Sequence, residues 1–265
     1  MMLTFIKLGG SLITDKQRSF SARQDVITRL VQEIQSAQDA VPDLRIILGH
    51  GSGSFGHTEA QKYNTHLGVH TMEEWHGFVQ VRRQADALHR IVMDALWNAG
   101  LNALSFPASA MAVASDHTDV RMDLQPLQLA LQHGLMPVVF GDVVLDRIMG
   151  GTILSTEEIL AHLCNQLPIQ RILIAGLEKG VWKNPDDPHT IFTSLTPAQY
   201  SDHRKNIQGS MATDVTGGMR SKVETLFSIL QDHPEMEAVI FSGEEPDALY
   251  HALTGKPGGT LLKNA

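Results

Sequence analysis

Cysteine is almost absent: Cys164 is the single one in 265 residues. One thiol excludes an intrachain disulfide, fits a reducing, cytoplasmic compartment, and by itself reads as a small buried hydrophobe. Nothing approaches the ~20 consecutive apolar residues that cross a bilayer. The first twelve residues have neither a basic start nor a long apolar run, so no membrane span and no secretory signal are expected. Cations are scarce too. Lys and Arg total 21 against 29 Asp and Glu, a formal net charge of −8 with no Lys/Arg run, which argues against nucleic acid as a partner. There is no internal repeat and no low-complexity linker. With 43% hydrophobic and 19% charged residues, the composition is that of a globular chain, long enough for one large α/β domain or two lobes. An acidic chain that handles phosphates must concentrate its few cations locally.

Glycine-rich loops are where the chemistry gathers. Leu44 and Ile46–Leu48 read as a buried strand that runs into His50-Gly51-Ser52-Gly53-Ser54-Phe55-Gly56-His57 and then into a polar segment of helical composition. Such a loop lets backbone N–H groups crowd around an anion, with the helix N-terminus adding partial positive charge. His57 supplies a titratable donor at its far end. The loop therefore reads as a phosphate site carrying its own acid, and the chain as an enzyme acting on a phosphorylated small molecule.

Leu3–Leu8 reads as an earlier strand ending at Gly9-Gly10-Ser11, with Lys7 inside it and Lys16 at the rim of its loop. A lysine within an apolar strand is costly unless an anion or carboxylate meets it. Apolar spacing predicts a helix over 25–38 between these two strands. In a parallel sheet the two loops would then lie together at the strands' carboxyl ends, suggesting a donor and an acceptor site side by side. Residues 58–67 are polar and read as an irregular cap. Residues 72–101 are strongly helical, and Phe78, Val81 and Arg82 are nominated for an acceptor pocket. Further strand candidates are 103–107, 135–140 ending at Gly141-Asp142, 171–175 before Gly176 and Glu178, and 238–243, with a hairpin at 150–154. Ser155-Thr156-Glu157-Glu158 opens a helix with good capping chemistry. Asp214-Val215-Thr216-Gly217-Gly218-Met219 opens another, running to about Leu230. Lys222 in its first turns duplicates the positive charge of the helix dipole, which makes sense if a phosphate docks there.

Taken in order, Lys7-Leu8-Gly9-Gly10-Ser11, the central loop, Gly141-Asp142, Asp214–Met219 with Lys222, and Gly259-Thr260 resemble the amino acid kinase superfamily over nearly the whole chain. Within it, His50–His57, Thr14-Asp15-Lys16 and Gly141–Val144 resemble the isopentenyl phosphate kinases. The resemblance implies an α/β fold, a three-layer αβα sandwich around an open, mainly parallel sheet. It also implies a single domain over 1–265, with the acceptor in the half up to about 150, ATP in the half from about 151, and a homodimer. The activity implied is ATP-dependent phosphorylation of isopentenyl phosphate to isopentenyl diphosphate, with Mg²⁺ held chiefly by phosphates and water.

Carried over to this sequence, the resemblance makes Lys7, Lys16 and Lys222 the neutralising cations. His57 becomes the ligand of the acceptor phosphate, and Asp142 the residue that positions the lysines. Gly9, Gly10, Ser11, Gly53, Ser54, Gly56 and Gly141 line the acceptor site. Gly176, Glu178, Gly180, Val181, Asp214, Gly217, Gly218 and Met219 contact the nucleotide with Lys7 and Lys222. Glu157 and Glu178 stand where the superfamily usually has Asp, at positions expected to touch lysine or nucleotide. Two alternatives remain open at this point: a fosfomycin-type phosphonate kinase sharing the lysines and the loop histidine, and a non-catalytic sensor of nucleotide or metabolite.

Overall fold

The computed structural model describes residues 2–15, 17–184, 187–204, 207 and 218–264, apart from the side chains of residues 57, 58, 61 and 187–189. The first half of the chain runs β1 (Met2–Leu8), α1 (Gly10–Ile13), α2 (Gln24–Ala40), β2 (Leu44–His50), α3 (Gly53–Tyr63), α4 (Met72–Asn98), β3 (Ala103–Ser105), α5 (Ala108–Met111), β4 (Ala112–Ser115), β5 (Asp119–Met122), α6 (Gln125–Gln132), β6 (Met136–Phe140), β7 (Asp142–Asp146) and β8 (Gly150–Leu154). The second half runs α7 (Thr156–Cys164), β9 (Ile169–Gly176), β10 (Trp182–Asn184), β11 (Asp187–Ile191), β12 (Ser194–Leu195), α8 (Pro197–His203), α9 (Gly218–Asp232), β13 (Glu237–Ser242), α10 (Ala248–Leu253) and β14 (Thr260–Leu262).

Eight strands form one sheet in the order β12-β14-β13-β9-β1-β2-β6-β3, parallel except where β14 runs against β13. The chain moves outward from β1 in both directions, so the crevice at a topological switch point opens at the carboxyl ends of β1 and its neighbours. These ends are level: Phe140, His50, Leu8, Ala175 and Phe241 form one row across the sheet, and Val139, Gly49, Lys7, Ile174 and Ile240 the row before it.

Because successive side chains of a strand alternate faces, each buried run feeds two cores. Phe5, Ile47, Val139, Ile172, Ile174 and Ile240 pack with α7 and α9 on one face. Ile6, Leu8, Ile46, Leu48, Val138, Leu173, Ala175 and Phe241 pack with α2 and α4 on the other. The two faces together make the expected three-layer sandwich. A smaller sheet, β5-β4-β7-β8, flanks it, and β10 pairs with β11. No helix among the described residues is long and apolar enough to cross a membrane.

Two expectations of local structure change. The helices predicted over 25–38 and 72–101 occupy 24–40 and 72–98, the latter opened by a Thr71/Glu74 capping box. The stretch 58–67, read as irregular, is helical instead: α3 continues to Tyr63 and a 3₁₀ turn follows over Thr65–Leu67. α3 lies along α4, where Gly77 leaves room for the Tyr63 ring. Its sparse apolar residues give little periodicity, so tertiary packing decides the conformation.

Candidate active site

The loops after β1, β2, β6 and β9 surround one cavity of about 430 Å³. Its walls include Lys7, Gly9, Gly10, Ser11, Gly53, Gly56, Val81, Gly141, Asp142, Gly176, Glu178 and Lys222 from the residues singled out in the sequence. Residues some 215 positions apart in the chain thus meet at one place. Lys16, Asp214 and Gly217 lie outside the described residues. His57 sits on α3 immediately after the cavity-lining Gly56, and its side chain is outside the description.

The first two glycine loops touch. A Cβ on Gly51 would lie 2.8 Å from the Gly10 amide nitrogen, and one on Gly10 would overlap the Gly53 amide. A side chain at either position would pry the loops apart. Ser54 turns its amide away from the cavity, donating to the Thr14 hydroxyl at 3.1 Å.

Lys7 is 5% exposed, and the carboxylate of Glu157 accepts a hydrogen bond from its ammonium in an ion pair. Leaving water costs such an ion several kcal/mol, and this pairing offsets the cost. Glu157 comes from the first turn of α7, fixed by a Ser155/Glu158 capping box. Burial opposes ionisation of Glu157, but the charge and hydrogen bond of Lys7, with a further contribution from Lys222, hold its carboxyl below the usual range. The lysine in the strand has its carboxylate, supplied by the residue that stands where the superfamily usually has Asp.

Asp142 was expected to position lysines, and its contacts differ. Its carboxylate meets the Arg82 guanidinium at 3.3 Å and accepts from the amides of Ser109 at 3.0 Å and Val143 at 2.9 Å. Burial pushes its pKa up, against the pull of Arg82 and these donors. Arg82 is therefore a brace behind the cavity wall, bound also to Asp86 and to the Ser109 hydroxyl. Phe78 is not on the wall either: it covers Gly151 of β8 and stands edge-on to Trp75. Of the three residues nominated on α4, Val81 alone faces the cavity: Arg82, the next residue, points to another side of the helix, and Phe78, one turn earlier on the same face, is taken up by Gly151.

Of the residues expected to contact the nucleotide, Gly180 packs against Thr260, whose hydroxyl accepts from the Val181 amide at 2.8 Å. Val181 and Met219 are buried in the core, and Gly218 begins α9 with φ +64°. These four shape the site's surroundings without lining the described cavity.

His117 and Glu158 line the cavity without having been foreseen. His117 sits at the β4–β5 turn with φ +60°, its Nε2 2.8 Å from Glu158 Oε1 and its Nδ1 2.9 Å from Thr152 Oγ1. The Asp146 carboxylate, accepting from the amides of Asp116, His117, Ile148 and Met149, pins that turn. A hairpin tip folded back over a distant helix leaves no pattern in the sequence.

Among the described residues no group of three His, Cys, Asp or Glu could hold a metal ion. Of the lining carboxylates, Asp142 is paired with Arg82, Glu157 with Lys7 and Glu158 with His117.

The amino acid kinase family model matches residues 2–242. The isopentenyl phosphate kinase of Methanocaldococcus jannaschii is 30% identical over 98% of both chains, and that of Haloferax volcanii 31% identical over 99% of both. A solved structure described as "X-ray structures of isopentenyl phosphate kinase" superposes with a TM-score of 0.81 at 27% identity, over 98% of this chain and all of that one. The chain belongs to the amino acid kinase family.

Proposed function

We propose that this kinase transfers the γ-phosphoryl group of ATP to the phosphate of isopentenyl phosphate, giving isopentenyl diphosphate and ADP. The observation that carries the reading is the buried Lys7 in the wall of the shared cavity, where the loops after β1 and β2 touch. The acceptor is assigned to the half up to about residue 150 and the nucleotide to the half from about 151. Relatives named isopentenyl phosphate kinase along almost their whole lengths support the choice of acceptor. So does an apolar wall of Leu12, Ala60, Val81, Ala85, Ile153 and Leu154, suited to a hydrocarbon tail.

In this reading an acceptor phosphate oxygen attacks the γ-phosphorus as the bond to the bridging oxygen of ADP breaks. A phosphate dianion is already a competent nucleophile, so the protein's work is positioning and charge stabilisation. The Ser52 and Gly53 amides, with His57, hold the acceptor. Lys7, with Lys16, meets the transferring group, and Lys222 on α9 neutralises the nucleotide phosphates. Glu157 holds the Lys7 ammonium in place. Mg²⁺ would come with ATP on its phosphates and water, neutralising the β- and γ-oxygens. A cytoplasmic homodimer completes the proposal.

The test is ADP release with Mg·ATP and, separately, isopentenyl phosphate, fosfomycin and UMP. Turnover with isopentenyl phosphate at least tenfold above the others is expected. A preference for fosfomycin would keep the lysines and overturn the acceptor.

A further inference from the structure

The glycine loop after β2 has a buried support that the catalytic account does not use. His50 ends β2 on the face opposite Lys7 and is fully buried; His89, 4% exposed, reaches it from α4. His50 Nε2 lies 3.0 Å from His89 Nδ1, and His89 Nε2 lies 2.7 Å from the Ser105 hydroxyl on the edge strand β3. His50 Nδ1 is 3.2 Å from the carbonyl oxygen of Gly51. The Phe140 ring stacks against both imidazoles.

The direction of every hydrogen bond in this chain is fixed by its last member. A carbonyl oxygen only accepts, so His50 Nδ1 carries hydrogen and a neutral His50 Nε2 must accept. His89 Nδ1 then donates, His89 Nε2 accepts, and the Ser105 hydroxyl donates to it. Burial supports two neutral rings, holding His50 down at about 4 and His89, next to it, at about 2. A proton added to His50 would set N–H against N–H. Two imidazoles in an apolar core cost desolvation that leucines would not, and their chain ends on one loop carbonyl.

That carbonyl orients the next amide. In a planar trans peptide, C=O and N–H point in opposite directions. With the Gly51 carbonyl turned to His50, the Ser52 N–H points away from it, where Gly51, Ser52 and Gly53 line the cavity. The Ser52 N–H has no partner among the described residues. The other side of Gly51 is fixed as well, its N–H donating to Leu8 at 3.0 Å. The His50 carbonyl also accepts from the Thr156 hydroxyl at 2.8 Å.

We propose that Ser105, His89 and His50 are positioning residues: a neutral, one-directional relay that locks the Gly51–Ser52 peptide with its N–H aimed at the acceptor phosphate. The assignment of the phosphate to this loop rests on the function proposed above.

His50→Leu removes the donor to Gly51, whereas His50→Asn keeps one near the place of Nδ1. We expect His50→Leu to raise KM for isopentenyl phosphate about tenfold, the weight of one hydrogen bond to a charged group, with KM for ATP unchanged. His50→Asn should recover most of the loss, and Ser105→Ala should give a smaller shift in the same direction. Two readouts need no turnover. Nitrogen-15 spectra of the wild type should show Nδ1–H, Nε2-unprotonated rings for both histidines. The Ser52 amide resonance should move on titration with inorganic phosphate, less so in His50→Leu. An Nε2–H tautomer on His50, an unmoved Ser52 amide in the wild type, or equal losses for both substrates in His50→Leu would overturn the relay. If the wild type ignores isopentenyl phosphate while the tautomers and the Ser52 shift are as stated, the acceptor is wrong and the relay stands. Should His50→Leu fail to fold, the wild-type spectra and Ser105→Ala decide.

Discussion

Two buried polar pairs stand on opposite faces of the same sheet, one row apart. On the face covered by α7, Lys7 pairs with Glu157 as ions; on the face covered by α4, His50 pairs with His89 as neutral rings. Both pairs sit at the carboxyl ends of adjacent strands and both border the cavity's glycine loops. They differ in what they give the site. In the proposed function the ion pair brings a charge to the transferring group. In the proposed relay the neutral pair brings direction, holding the Gly51–Ser52 peptide without adding net charge. On that reading a chain with few cations, 21 against 29 acidic groups, keeps a charge for the reacting atoms and orients another donor with neutral chemistry.

The sharpest way to break this contrast is to remove the charge. Lys7→Ala should lower kcat by on the order of 10²–10³-fold, as loss of one preorganised charge stabiliser does, with the ATP dissociation constant changing far less; a kcat within fivefold of wild type would place the transfer elsewhere. Next in size, His57→Ala should lower kcat/KM for the acceptor by about 10²-fold while calorimetry shows ATP binding intact. Lys222→Ala should do the converse, raising KM for ATP by about tenfold and sparing the acceptor; unaltered ATP kinetics would remove Lys222 from the nucleotide site.

The pH dependence of stability separates the two pairs most finely. His50 and His89 have depressed values, so the unfolded chain takes protons that the folded one refuses. Both contributions are full above the ordinary 6.5; that of His50 is lost as pH falls toward about 4, and that of His89 goes on falling toward about 2. For His50 alone, that shift corresponds to roughly 3 kcal/mol. Glu157 is also depressed, from an ordinary 4.5, so its contribution is present above 4.5 and lost below it. Urea unfolding at pH 7, 5.5, 4.5 and 3.5 should show a decline already at 5.5. Glu157→Gln should keep that early decline and flatten the part below 4.5. Stability constant from pH 7 to 4.5 would contradict the neutral histidine pair.

Much of this was legible in the residues. Glycines after each apolar run marked the strand ends, and the parallel arrangement brought those ends together as topology requires. Lys7 in an apolar strand announced a buried counter-charge, which Glu157 provides. What stayed hidden depends on facing. Asp142 pairs with Arg82, and among the described residues with no lysine, because α4 passes behind β7. Phe78 and Val81 are three residues apart on one helix, yet one fills the gap over Gly151 and the other borders the cavity. His50 and His89 are 39 positions apart, and nothing local in either says that their rings meet. His117 reaches the site from a hairpin tip by the same kind of long-range closure.

The most direct test of the central claim is a phosphorus-31 spectrum of the wild-type protein with Mg·ATP and isopentenyl phosphate. Two coupled diphosphate resonances growing one-to-one with ADP, while the monophosphate signal disappears, are the predicted result. ADP formed alongside inorganic phosphate, with the isopentenyl phosphate signal unchanged, would show transfer to water and contradict it.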